Sequence, residues 1–165
     1  MTEPMAIKII GVIGSTRAEP DLIALAEEVG SEIAKRSAAV VCGGLSGVME
    51  AVCKGARREG GLTIGIIPSD DKNDANPYVQ IPIVTGMGMG RNVMLVKTAD
   101  VLIAVGGEFG TLSEIAHALN IGKKVIGLRT WRLEKARDKS IPDLIVATTP
   151  KQAVDIAMSI ISAQK

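Results

Sequence analysis

Three kinds of feature are scarce in this sequence. Aromatic residues make up 2% of its 165 positions: Tyr78, Phe109 and Trp131. A single-strand nucleic-acid platform, which stacks bases on successive rings, has almost nothing to be built from. Cysteine occurs twice, at Cys42 and Cys53, outside any C-x-x-C spacing, so neither a disulfide framework nor a zinc site is expected. Charge of one sign is also scarce. The 19 Lys+Arg stand against 18 Asp+Glu, a net +1 with no basic cluster, which removes the usual electrostatic footprint of nucleic-acid binding. Glycines and charges interrupt every apolar stretch before it reaches the roughly 18 residues that read as a membrane span. Met1 to Lys8 lacks the basic-then-apolar-then-small layout of a signal peptide. A cytoplasmic protein with no nucleic-acid and no membrane partner is expected.

Apolar residues, by contrast, form 47% of the chain, dominated by Ala, Val, Ile and Leu, and there are 18 glycines. Small and β-branched residues suit buried parallel strands covered by helices. The length suits one domain, residues 1–165, because no linker composition or charge block divides the chain. Short apolar runs read as strands at Ala6–Ile13, Ala38–Cys42, Leu62–Ile67, Ile81–Val84, Val101–Val105, Lys124–Leu128 and Leu144–Ala147. Helical spacing follows Pro20 and covers Val48–Glu59, Asn92–Thr98, Thr111–Asn120 and Pro150–Ala163. Trp131–Lys139 reads as a polar helix or a loop. Strands alternating with helices over connections too long for hairpins predict a Rossmann-like three-layer α/β/α sandwich with a mainly parallel sheet.

One pattern occurs twice. Val40-Val41-Cys42-Gly43-Gly44-Leu45-Ser46-Gly47 and Ala104-Val105-Gly106-Gly107-Glu108-Phe109-Gly110 both read apolar strand, G-G-x-x-G, then helix. Each helix carries an early carboxylate, Glu50 or Glu114. A helix start after such a turn presents unpaired backbone N–H groups and a positive dipole end, which favours anions. At the C-terminal edge of a parallel sheet this is where ligands bind. The spacing is neither the dinucleotide G-x-G-x-x-G nor a Walker A loop, since no Lys-Ser or Lys-Thr follows either copy. One copy alone is equally a tight turn; two in one chain point to a phosphate-bearing ligand. Gly14, Ser15, Thr16 and Arg17 end the first strand at the same edge, where a plain loop and a phosphate contact are equal readings.

Three segments resemble, in order, the motifs of the Lonely Guy (LOG) superfamily, and the resemblance covers roughly residues 6 to 163. Gly43-Gly44-Leu45-Ser46-Gly47-Val48-Met49 resembles its G-G-x-x-G-[LV]-M element. Gly86-Met87-Gly88-Met89-Gly90-Arg91-Asn92 resembles its Arg-bearing segment, and Gly107-Glu108-Phe109-Gly110-Thr111-Leu112-Ser113-Glu114 its P-G-G-x-G-T-x-x-E signature. The hydrolases of that superfamily carry Pro-Gly-Gly where this chain has Gly106-Gly107-Glu108, and Lys where it has Asn92. These departures, and the short chain, are closer to the compact branch related to molybdenum-cofactor carrier proteins. The resemblance therefore implies a binding protein for a phosphorylated nucleotide-like or pterin-like ligand, with a nucleotide or the molybdenum cofactor as the bound molecule and no cofactor firmly required. The alternative it implies is a phosphoribohydrolase acting on nucleoside 5′-monophosphates, with Arg91 gripping phosphate and Glu114 supporting a ribosyl cation. It also implies a homodimer or homotetramer, with Asn92–Thr98 and the methionines before it as the interface. A lysine decarboxylase is not implied, because a pyridoxal-phosphate enzyme needs a larger scaffold and a Schiff-base lysine.

The candidate ligand set is accordingly Gly14, Ser15, Gly43, Gly44, Gly47, Met49, Gly90, Arg91, Gly107, Gly110, Thr111 and Glu114, with no metal. Each residue has a plainer reading. Glu114 could simply favour a helix N-terminus, Arg91 could be a solvated helix-start residue, and Thr111 suits an N-cap that needs no ligand. Glu108 would repel a phosphate placed in its loop. His117, the one histidine, lies three residues beyond Glu114 and reads as structural. Asp70, Asp71 and Asp74 lack the layout of a calcium loop.

Overall fold

The computed structural model describes residues 6–137 and 141–164. In chain order the elements are β1 (Ile9–Ile13), α1 (Pro20–Lys35), β2 (Ala39–Cys42), α2 (Val48–Arg58), β3 (Thr63–Ile67), β4 (Ile81–Val84), α3 (Arg91–Thr98), β5 (Val101–Val105), α4 (Phe109–Asn120), β6 (Val125–Leu128), β7 (Leu144–Ala147) and α5 (Pro150–Ala163). The strands form one seven-stranded sheet in the order β4-β3-β2-β1-β5-β6-β7. Every pairing is parallel, and β1 sits in the middle, with Gly11 opposite Val41 of β2 and Leu102 of β5.

The central strands are apolar along their whole length because both faces are covered. Val101, Ile103 and Val105 of β5 point to one side, where they join Ile10, Val12 and the buried faces of α1, α2 and α5. Leu102 and Ala104 point to the other, against Leu95 and Val96 of α3 and Ile115 and Ala118 of α4. This is a Rossmann-like three-layer arrangement, with β1 and β5 buried on both faces. Helices α1 and α2 lie against each other so closely that a Cβ on Gly30 would meet the Val52 carbonyl oxygen at 1.9 Å. One on Gly55 would meet that of Glu27 at 1.8 Å. Helix α5 starts at Pro150 behind the Thr149 hydroxyl, which accepts from the Gln152 N–H at 3.1 Å.

Several boundaries differ from the sequence reading, most of them by one residue. β1 begins at Ile9, because Ala6–Lys8 precede the first paired position. Residues 131–137 form no helix, so that segment takes the loop reading; its end, residues 138 and 139, and Met1 to Met5 lie outside the described residues. Among the described residues no helix is long and apolar enough to cross a membrane.

Candidate functional site

From β1 the chain runs outward through β2, β3 and β4 to one edge; it then returns to β5, beside β1, and runs to the other edge. The connections after β1 and β5 therefore diverge, opening a crevice at the C-terminal ends of these two strands. A cavity of about 510 Å³ lies there, walled by the loops after β1, β2 and β5, the start of α3 and the first turns of α4. Its volume is within the range of small-molecule sites, about 300–1,000 Å³.

Two oppositely charged side chains are buried in its wall. Arg91, the first residue of α3, is 5% exposed. Its Nε donates to the Ile66 carbonyl at 2.8 Å, Nη2 to the Gly43 carbonyl at 3.3 Å, and Nη1 to the Asn92 side chain. The solvated helix-start reading of Arg91 therefore fails: the guanidinium clamps the ends of β2 and β3 together. That leaves two of its five N–H donors, one on each terminal nitrogen, for a ligand. Glu114 is 7% exposed. Burial pushes its pKa up to about 7, against the pull of the Arg91 charge. The two groups line the same cavity and act on each other through space; among the described residues no ion pair joins them. A carboxyl close to half-ionised at neutral pH can donate or accept a proton.

The two G-G-x-x-G turns are not equivalent. Helix α4 begins at Phe109, two residues before the predicted start, with Glu108 as an N-cap whose side chain makes no capping bond. Thr111 is thus the third helical residue rather than the cap, 3% exposed in the cavity wall, and Glu114 lies in the second turn. With no protein cap, the N–H groups at this helix start remain open to a ligand beside Gly110 and Thr111. At the first turn the Val48 N–H donates to the Ser15 carbonyl at 3.1 Å, and the Ser46 hydroxyl to the Thr16 carbonyl at 3.1 Å. The start of α2 therefore holds the loop after β1. Gly47, at φ +68°, is needed for that seat, since a Cβ would fall 2.3 Å from the Ser15 carbonyl oxygen.

Of the predicted set, Gly14, Ser15, Gly43, Met49, Arg91, Gly110, Thr111 and Glu114 line the cavity. Gly44, Gly47 and Gly90 do not, and Gly107 lines a neighbouring cavity. Pro68, Met89 and Asn92 also line it, none of them in the predicted set. Asn92 and Met89 lie within the Arg-bearing segment itself, and their closeness to Arg91 was the available signal. Glu108 lines the cavity and is exposed, so solvent screens the repulsion between its charge and a phosphate. His117 lines neither cavity, and its Nε2 is buried without a hydrogen-bond partner. Cys42 and Cys53 are buried free thiols, Sγ to Sγ 3.5 Å, and their mutual hydrogen bond together with burial holds Cys53 protonated. Asp71 accepts from the Asn73 N–H at 2.9 Å in an ordinary turn. Among the described residues no group of three or more His, Cys, Asp or Glu is placed to hold a metal.

Comparison with known proteins places this geometry among relatives. A model of the SLOG cluster4 family matches residues 7–154. The molybdenum cofactor binding protein of Rippkaea orientalis is similar in structure, with a TM-score of 0.87 and 37% identity, over 95% of this chain and 99% of that one. The molybdenum cofactor carrier protein of Chlamydomonas reinhardtii aligns with a TM-score of 0.80 and 31% identity, over 95% and 99% of the two chains. A cytokinin riboside 5′-monophosphate phosphoribohydrolase of Mycobacterium marinum is 31% identical over 121 residues, 68% of this chain and 65% of that protein. The chain thus spans just under two thirds of that enzyme's length.

Proposed function

The chain belongs to the SLOG cluster4 family, and from that membership and the cavity we propose that it binds a phosphorylated nucleotide-like or pterin-like small molecule at the β1/β5 crevice. The observation that carries this reading is the uncapped start of α4 opening into a cavity that also holds Arg91 and Glu114, two buried charges that do not satisfy each other. A ligand phosphate is matched by the free N–H groups at Gly110 and Thr111, and a heterocycle edge with donors by the Glu114 carboxyl. Arg91 keeps the cavity's potential favourable to anions while bracing its floor. The likeness to two molybdenum cofactor proteins over nearly their whole length supports that cofactor as cargo. The residues present suit its organic part, with phosphate at α4 and the pterin's amide edge at Glu114. The test is a calorimetric titration of a panel of nucleoside 5′-monophosphates and phosphorylated pterins. One member is expected to bind one per chain, and Glu114→Gln to change its affinity; saturable binding by none would overturn the reading.

A second reading is favoured by one observation, the Glu114 pKa of about 7 in the cavity wall. In a phosphoribohydrolase this carboxyl would take the proton of a water attacking the ribose C1′ while the N-glycosidic bond breaks and the base leaves. The identity with the Mycobacterium marinum enzyme is consistent with it. Chromatography of the released base separates the two readings. A hydrolase releases base and loses that activity in Glu114→Gln, whereas a carrier binds without turnover.

A further inference from the structure

A second cavity of about 680 Å³ adjoins the first on the β6 side of the crevice. Ser15, Arg17 and Glu108 line both cavities and so form the neck between them. Beyond the neck the walls are Gly106, Gly107, Arg129, Thr130 and Trp131, with Leu22 from α1. Three observations mark this as a formed space. The Thr130 hydroxyl donates to the Gly106 carbonyl, tying the segment after β6 to the turn after β5. Trp131 donates from Nε1 to the Glu108 carbonyl at 3.3 Å, and its ring packs on Phe109 with centroids 5.6 Å apart. Arg129 occupies the left-handed region at φ +53°, an uncommon conformation for a side-chain-bearing residue, and pairs with Asp21 of α1 at 2.5 Å. Arg17, by contrast, is exposed and forms no ion pair among the described residues, although the loop carrying it is seated on α2 through Ser15 and Thr16.

Resting on the reading above, we infer that the second cavity is a subsite for the far half of a two-part ligand, in which a diphosphate passes Arg17 at the neck and a second ring system lies beside Trp131. The chemistry follows from what each wall offers. Arg17 is a guanidinium without a carboxylate, placed where a ligand leaving the first cavity must pass, and it matches a bridging phosphate. Glu108, on the same neck, accepts from sugar hydroxyls flanking that bridge. Trp131 supplies the only indole in the chain, on which a planar ring can stack. A mononucleotide fills the first cavity alone; a dinucleotide-type ligand fills both.

Trp131 is the sole tryptophan, so its emission reports on this subsite directly. AMP and NAD serve as the two probes, each titrated by calorimetry and by fluorescence. NAD is expected to bind about tenfold or more tightly than AMP, the gain of one stacked ring and one bridged phosphate, and NAD alone to change the emission. Trp131→Ala should remove the stacking part of the NAD advantage while moving AMP less than about twofold. Arg17→Ala should weaken NAD more than AMP. Trp131→Phe keeps a ring at the position and should retain most of the advantage, which covers the case in which Trp131→Ala fails to fold. AMP binding with NAD no tighter, or with an NAD advantage indifferent to Trp131, would overturn this inference and leave the mononucleotide site standing. Saturable binding by neither probe would count against both.

Discussion

At neutral pH the Glu114 carboxyl is a burden on the fold, because the cost of its burial outweighs the pull of the Arg91 charge. Its pKa rises from 4.5 to about 7, so between those values the folded chain holds a proton that the unfolded chain has released. Stability therefore falls as pH rises from about 4.5 to about 7 and levels off above. A shift of this size corresponds to on the order of 3 kcal/mol at pH 8. Glu114→Gln removes the titration while keeping the shape. It should unfold at higher urea than the wild type at pH 8, with the difference vanishing near pH 4, as pH-dependent denaturation curves would show. Binding should titrate at the same group. The donor edge of the heterocycle is accepted more strongly by the Glu114 carboxylate than by the neutral acid, so affinity should rise with pH through about 7 in the wild type, and less so in Glu114→Gln. Arg91 behaves oppositely. Arg91→Ala removes donors to the Ile66 and Gly43 carbonyls and the counter-charge of Glu114, and should destabilise by about 3 kcal/mol. In the Glu114→Gln background the loss should be smaller, a coupling that a double-mutant cycle in urea measures.

At the scale of elements, the site depends on how closely helices approach. Gly55→Ala would improve helix propensity in α2, yet the added Cβ falls 1.8 Å from the Glu27 carbonyl of α1. The variant should lose about 1–3 kcal/mol, read as a lower urea midpoint with an unchanged slope. Because α1 follows directly on the loop of Ser15 and Arg17, ligand affinity should fall with it. The strands and helices themselves were legible in the sequence, since β-branched runs such as Val101–Val105 and the helical spacing after Pro20 record the two-sided burial that places them. So was the gathering of Gly14, Gly43, Gly110, Arg91 and Glu114 at one sheet edge, where the structure places them around a single cavity. The asymmetry of the two G-G-x-x-G turns was not. Its cause is a long-range bond, from the Val48 N–H to the Ser15 carbonyl, and local pattern carries no information on a partner 33 positions away. The start of α4 at Phe109 was missed for a related reason. Glycine at 110 reads as a turn, and tertiary support for the helix lies on α3, β5 and β6. The second cavity was invisible because its walls come from Gly106, Arg129 and Trp131, which share no motif.

For the molecule as a whole, the side of the sheet carrying α3 leaves apolar side chains in water. Met87 is 53% exposed, Met89 67%, Val93 39% and Met94 37%. These residues are the stretch from which the sequence suggested self-association, and we propose that they pair copies of the chain as a homodimer or homotetramer. Light scattering should give a multiple of 17.2 kDa, and Val93→Asp should shift it toward the monomer; a wild-type monomer would contradict the proposal. Since Met89 also lines the ligand cavity, assembly and binding should be linked, with ligand favouring the larger species. Both binding and assembly turn on where the phosphate goes. The most direct measurement is a crystal structure of the protein with the tightest-binding member of the nucleotide and pterin panel. The phosphate is expected within hydrogen-bond distance of the Gly110 or Thr111 N–H, with the remainder of the ligand against Glu114 and Arg91. A phosphate bound away from the start of α4, with these two side chains untouched by the ligand, would contradict this placement.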